Sequence, residues 1–194
     1  MSWGNKVINS SDIRNGVWKT FERLHGGSRK GTVAGTGVTI TEGAGSTVFT
    51  FTNVAVATVD ATTNGAQGSL KIYDFPEGLL DFRGGVTNLT ISATTGIAAT
   101  STVIASVGTA VAGVDLTLTG TEADLVPSGS VTLVASAGAI TQVSATANSA
   151  LFDGTGTAKD AYLNFVVDAT GSTANSTITV NGTITLAWSL IADK

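Results

Sequence analysis

Apolar and small polar side chains alternate with a period of two through most of this 194-residue chain. In residues 178–188, ITVNGTITLAW, threonine alternates with isoleucine, valine and leucine around Asn181-Gly182, and nothing is charged. That period puts one set of side chains on each face of a strand. The same texture recurs in VTITEG, STVFTFTNVAVATVD, GSLKIYDF, VTNLTISA, STVIASVG, GVDLTLTG, GSVTLVAS, ITQVSATA and DAYLNFVVDA, with turn residues between them. Short strands at this spacing predict an all-β fold, an antiparallel β-sandwich or jelly-roll-like barrel of about ten strands. No constant repeat period is present, which argues against a solenoid or propeller.

Asn-Gly between two alternating runs predicts a hairpin. A two-residue Asn181-Gly182 turn would mix threonine and aliphatic residues on each face. A three-residue loop, Val180-Asn181-Gly182, pairs Ile178 with Ile184 and Thr179 with Thr183, giving one aliphatic and one threonine face. A one-residue slip would bury the hydroxyls, so the second register is favoured. The alternative is one long edge strand with no hairpin.

Composition supports sheet. Charged residues are 12% of the chain, and it holds 32 Thr and 24 Gly against 2 Pro. Thr and Val favour strands, and Gly and Asn supply turns. Positive mean hydropathy with little charge argues against disorder. Without Cys, disulfides and thiolate metal sites are excluded. The start, MSWGNKVINSSD, has no apolar core for a signal peptide. Residues 96–118 are apolar but carry Thr and Ser throughout, which suits strands of small residues better than a membrane span. The expected site of synthesis is a cytoplasm.

Charge is unevenly placed. Residues 1–30 carry a net +4 and the remainder a net −8. A basic leader on an acidic body predicts an arm that docks elsewhere. Ile13, Val17, Phe21 and Leu24 form a helical stripe in it, with Ser11 as N-cap and Gly26-Gly27 as the stop. The expected organisation is thus an arm or short helix over residues 1–30 and a β-sandwich domain over 31–194. The single histidine, His25, suits the last carbonyls of that helix better than a catalytic triad, since no G-x-S-x-G elbow is present.

Other candidate sites are weaker. Asp153-Gly-Thr-Gly with Asp160 lacks the full ligand set of a calcium loop and reads as a turn. Asp74, Glu77 and Asp81 lie close in sequence, but Pro76-Glu77-Gly78 reads as a turn with the carboxylates flanking it in water. GAGST near residue 43 has no Lys and no following helix, so it is no phosphate loop. Trp3, Trp18, Trp188, Tyr73 and Tyr162 are too scattered for a sugar-stacking platform and read as packing residues. The Asn-x-Thr matches at Asn88, Asn175 and Asn181 are expected by chance in so threonine-rich a chain. The acidic body argues against nucleic acid.

Four segments, SLKIYDFPEGLLDFRGGVTNLTISA, LTGTEADLVPS, FDGTGTAKDAYLNFVVDA and ITVNGTITLAW, occur in that order over roughly residues 68–194. They resemble a family of small virion proteins of tailed bacteriophages, found especially in marine phages. The first 67 residues lie outside the resemblance. It implies a structural part of the particle, a head decoration (cement) protein, and carries over no catalytic, metal or cofactor residues. The partners expected are the major capsid protein and further copies of the chain, a trimer matching local threefold points, on the capsid surface of the virion. The leader would supply the interface through Arg14, Trp18, Lys19, Phe21, Arg23, Arg29 and Lys30. The alternatives are a tail tube or tail-tip component and a carbohydrate-binding or adhesive β module; an enzyme ranks last.

Overall fold

The structure, a computed structural model, describes residues 36–43, 45–60, 65–93, 96–143, 150–168, 172 and 174–192. The predicted arm or helix, its interface residues Arg14, Trp18, Lys19, Phe21, Arg23, Arg29 and Lys30, and Trp3 and His25 lie outside these. Ten strands form one antiparallel sheet: β1 (Val38–Gly43), β2 (Ser46–Asp60), β3 (Ala66–Asp74), β4 (Gly78–Ala93), β5 (Thr102–Gly108), β6 (Val126–Thr132), β7 (Ala137–Val143), β8 (Ala150–Gly154), β9 (Asp160–Val167) and β10 (Ser176–Ala192). Their order is β6-β5-β9-β3-β2-β10-β4-β7, with β1 also on β2 and β8 also on β4. The sheet curls into a sandwich because β2 serves both halves. Its first part pairs with β1 and β10, and only Val59 and Asp60 pair with β3.

The alternation seen in the sequence fills the interior. Phe49, Phe51, Val54 and Val56 of β2, Leu89 and Ile91 of β4, Leu163, Phe165 and Val167 of β9, and Ile178, Val180, Ile184 and Leu186 of β10 join one buried core. At one end Trp188 packs edge-on to Phe75, with ring centroids 5.0 Å apart, and Tyr73 packs against Phe49 and Phe75. The indole N–H of Trp188 donates to Thr47 Oγ1 at 3.0 Å, so this large side chain is buried with its polar atom satisfied. Trp188 and Tyr73 are packing residues, as expected.

The Asn-Gly stretch departs from expectation. Residues 176–192 are one strand, and it is central rather than an edge, lying between β2 and β4. Asn181 instead faces a bulge. Two residues of β2, Thr52 and Asn53, stand opposite it, because Phe51 pairs with Gly182 and Val54 with Val180. Asn53 takes a positive φ of 50°, and its N–H donates to Asn181 Oδ1 at 2.9 Å. Gly182 has φ 120°, and a Cβ there would overlap the Asn88 carbonyl oxygen of β4. The left-handed freedom that marked a turn is used for a close approach of neighbouring strands. The separation into an aliphatic and a threonine face survives within one strand.

Two further expectations are corrected. GVDLTLTG is not a strand: residues 113–119 form a loop that leads into a 3-10 turn, Gly120–Glu122. A strand not foreseen, β8, spans ALFDG.

Candidate functional site

The two halves of the sandwich present different outer surfaces. On the half built from β3, β9 and β5, cross-strand pairing lines up Ser69, Asn164 and Ser106. The segment after β5, residues 109–125, folds over this row. Asn164, fully buried, accepts from the Ser69 hydroxyl at 2.7 Å and the Ala112 N–H at 3.2 Å, and donates to the carbonyls of Ala110 and Glu122 at 2.9 and 2.8 Å. The Ser106 hydroxyl donates to the Glu122 carbonyl at 2.7 Å. Asp124 accepts from Thr109 through its N–H and its hydroxyl. Burial pushes the Asp124 carboxyl above its ordinary value, against the pull of those two hydrogen bonds.

On the half built from β1, β2, β10, β4 and β7 the equivalent row is open. Thr39, Thr50, Thr183, Asn88 and Thr141 are successive cross-strand partners over five strands. The neighbouring row is Thr41, Val48, Thr185, Val86 and Val143. Towards the other end come Asn181 beside Thr90 and Thr90 beside Ala139, then Ala55, Thr179, Ser92 and Ala137. Partners in such rows point to the same side of a sheet. None of these side chains is charged or aromatic. Most of them are exposed on β1, β2, β4 and β7, with Val48 and Ser92 partly covered, and those on the central β10 are partly exposed, so none of the described residues folds over these rows.

Charge gathers at the β3–β4 end. Lys71 Nζ lies 2.8 Å from Asp160 Oδ1 and 3.5 Å from Asp74 Oδ2. Asp74 and Asp160 are cross-strand partners. The hydrogen bond to Asp160, with burial, raises the Asp74 carboxyl. Desolvation pushes Asp160 up, but hydrogen bonds from Lys71, Tyr162 and Asp74 outweigh it and hold it below the ordinary value. The Tyr162 hydroxyl donates to Asp160 at 2.8 Å. Asp81 is paired with Arg83 at 2.8 Å. The sequence grouping of Asp74 with Glu77 and Asp81 is therefore replaced by Asp74 with Asp160. The flanking position in water holds for Asp74, whose side chain is 41% exposed beside Lys71, and is corrected for Asp81, whose side chain is 13% exposed and paired with Arg83. Asp153 closes its own turn, accepting from the Thr155 N–H at 3.0 Å and hydroxyl at 2.6 Å.

Among the described residues no group of three His, Cys, Asp or Glu is arranged to hold a metal ion, and no helix is long and apolar enough to cross a membrane. A cleft lined by Phe75, Leu80, Phe82, Leu125, Phe152 and Trp188, with Thr109 and Lys159 at its rim, encloses about 210 Å³ including open solvent. Its walls leave no room for a water molecule, whereas ligand pockets usually run to roughly 300–1,000 Å³, so it holds no ligand site.

No protein-family model and no curated protein matches the chain. Among solved structures it is similar to a family 29 carbohydrate-binding module, at 15% identity and a TM-score of 0.32 over 79% of each chain. That module has also been solved with mannohexaose, where the match has 14% identity, a TM-score of 0.31 and 80% coverage of each chain. A third likeness is to the enzymatically active domain of tailspike protein 4 of bacteriophage CBA120, at 16% identity and a TM-score of 0.25 over 88% of this chain and 20% of that one. Likenesses this distant carry no argument about function.

Proposed function

We propose that the chain is a non-catalytic structural module of a virus particle, a head decoration protein that its basic leader holds to an acidic region of the major capsid protein. The observation that carries this reading is where the positive charge lies. Beyond residue 30 the sequence has only Lys71, Arg83, Lys159 and Lys194. Lys71 and Arg83 are ion-paired within the domain, and Lys159 lies close enough to Asp124 and Asp153 to favour their charged forms. Cations able to hold an acidic partner are therefore concentrated in Arg14, Lys19, Arg23, Arg29 and Lys30. The ordered likeness over residues 68–194 to phage virion proteins points the same way, and the stiff sheet supplies a body that needs no disulfide.

The test is to add the full chain, or the chain without residues 1–30, to particles that lack it. The full chain binds and the binding weakens steeply with salt. Equal binding by the truncated chain rules out the clamp.

A second reading, a carbohydrate-binding module, is favoured by the exposed hydroxyl and amide groups of Thr50, Asn88, Thr90 and Thr141 on the open face. It would have to work without stacking, because Trp188, Tyr73, Phe49 and Phe82 are buried. Saturable binding on a glycan array that is lost in Asn88→Ala would establish it; a blank array removes it.

A further inference from the structure

We propose that the open face is a docking site for the chain's own leader, which lays the apolar stripe Ile13, Val17, Phe21 and Leu24 across it. Four observations converge on this occupant. First, the face carries a pair of exposed apolar side chains beside its hydroxyls. Val86 and Val143 are cross-strand partners at 42% and 60% exposure, in one row with Val48 and next to Thr185. These valines are the small apolar patch that the stripe would extend and cover.

Second, the opposite half has no vacancy, because residues 109–125 already cover Ser69, Asn164 and Ser106. A sheet needs a second layer on a face that is partly apolar, and a helix is one of the two standard solutions. Third, the charges fit. At helical spacing Lys19 and Arg23 fall on the side away from the stripe, so contact with an uncharged face buries neither. This is compatible with the clamp above and does not rest on it: the apolar side meets the sheet and the basic side remains free.

Fourth, the connection is short enough to favour the same chain. The described structure begins at Thr36, directly before β1, and β1 supplies Thr39 and Thr41 to the face. Residues 25–35 separate Leu24 from that point, and an extended segment of that length spans about 36 Å. Five strands at their usual spacing measure only about 19 Å from first to last. A tether this short keeps the stripe at high effective concentration over the face.

Hydrogen exchange measured by mass spectrometry on the full chain tests the proposal. The amides of residues 13–24 exchange at least about tenfold more slowly in the natural chain than in Val143→Glu. The control Val114→Glu, an exposed position in the segment that covers the other half, leaves the protection intact. Protection is the same on dilution. Equal exchange in the natural chain and in Val143→Glu overturns the proposal, as does protection that fades on dilution, which would put the stripe on a neighbouring copy. Unchanged exchange in β4 and β10 verifies that each variant is folded. Particle binding is scored separately, so either reading can fail alone.

Discussion

The Ser69–Asn164–Ser106 row and the Thr50–Thr183–Asn88 row are the same device in two settings. Each is a line of small polar side chains running across three strands on the outside of the sandwich. The first is covered by the chain's own residues 109–125, and each hydrogen-bonding atom of the Asn164 amide is used inside the protein. The second is open. A polar row beneath a loop fixes that loop, because a buried amide left unpartnered costs far more than a bond to water. The difference is decided by the segments between strands, not by the strands themselves.

The largest expected effect breaks the covered side. Asn164→Leu strands the Ala110 carbonyl and leaves the Ser69 hydroxyl without its acceptor, while the Glu122 carbonyl keeps Ser106 and the Ala112 N–H keeps Ser69, and is expected to cost about 3 kcal/mol in denaturant unfolding. A loss below about 1 kcal/mol would mean that water replaces the amide and that the loop is not held by it. Next is Gly182→Val, which forces a side chain into a positive-φ site against the Asn88 carbonyl and is expected to cost about 2–3 kcal/mol.

The charged end adds a smaller, pH-dependent effect. Asp160 is held below its ordinary pKa, so its contribution to stability is present above the unfolded value of about 3.9 and is lost as pH falls through the lower folded value. Asp160→Asn is expected to cost about 0.5–1 kcal/mol at pH 7, and the gap to the natural chain closes in acid. Asp74, raised, has the opposite sign: its contribution is present at low pH and is lost as pH rises through its folded value. Chemical denaturation at a series of pH values separates the two. The smallest effect belongs to the open side, where Thr183→Val is expected to stay within about 0.5 kcal/mol of the natural chain. A cost as large as that of Asn164→Leu would erase the contrast between the faces.

Much of this fold was legible. STVFTFTNVAVATVD is β2 to the residue, because alternation and sheet burial have the same period. Its one break in phase, at Thr52-Asn53, was visible as two polar residues in succession, and it is the bulge. The Asn181-Gly182 signal was misread because the demand for left-handed backbone is the same in a turn and at a bulged crossing of strands; only the long-range pairing tells them apart. GVDLTLTG alternates as well as any strand does. Yet Leu116 sits at φ 56° and Val114 is 77% exposed, since the segment is held by Asn164 and Glu122 contacts that no local pattern encodes. ALFDG is too short to show a period. The threonine face could be foreseen strand by strand. Its assembly into rows depends on register, and the pairing of Asp74 with Asp160 depends on the β3–β9 contact.

We propose that this chain is a structural part of a virus particle, and its abundance there tests that most directly. Quantitative mass spectrometry of purified particles is predicted to find it on the scale of the major capsid protein. Its absence from particles, or a copy number as low as that of a tail-tip component, would contradict the claim.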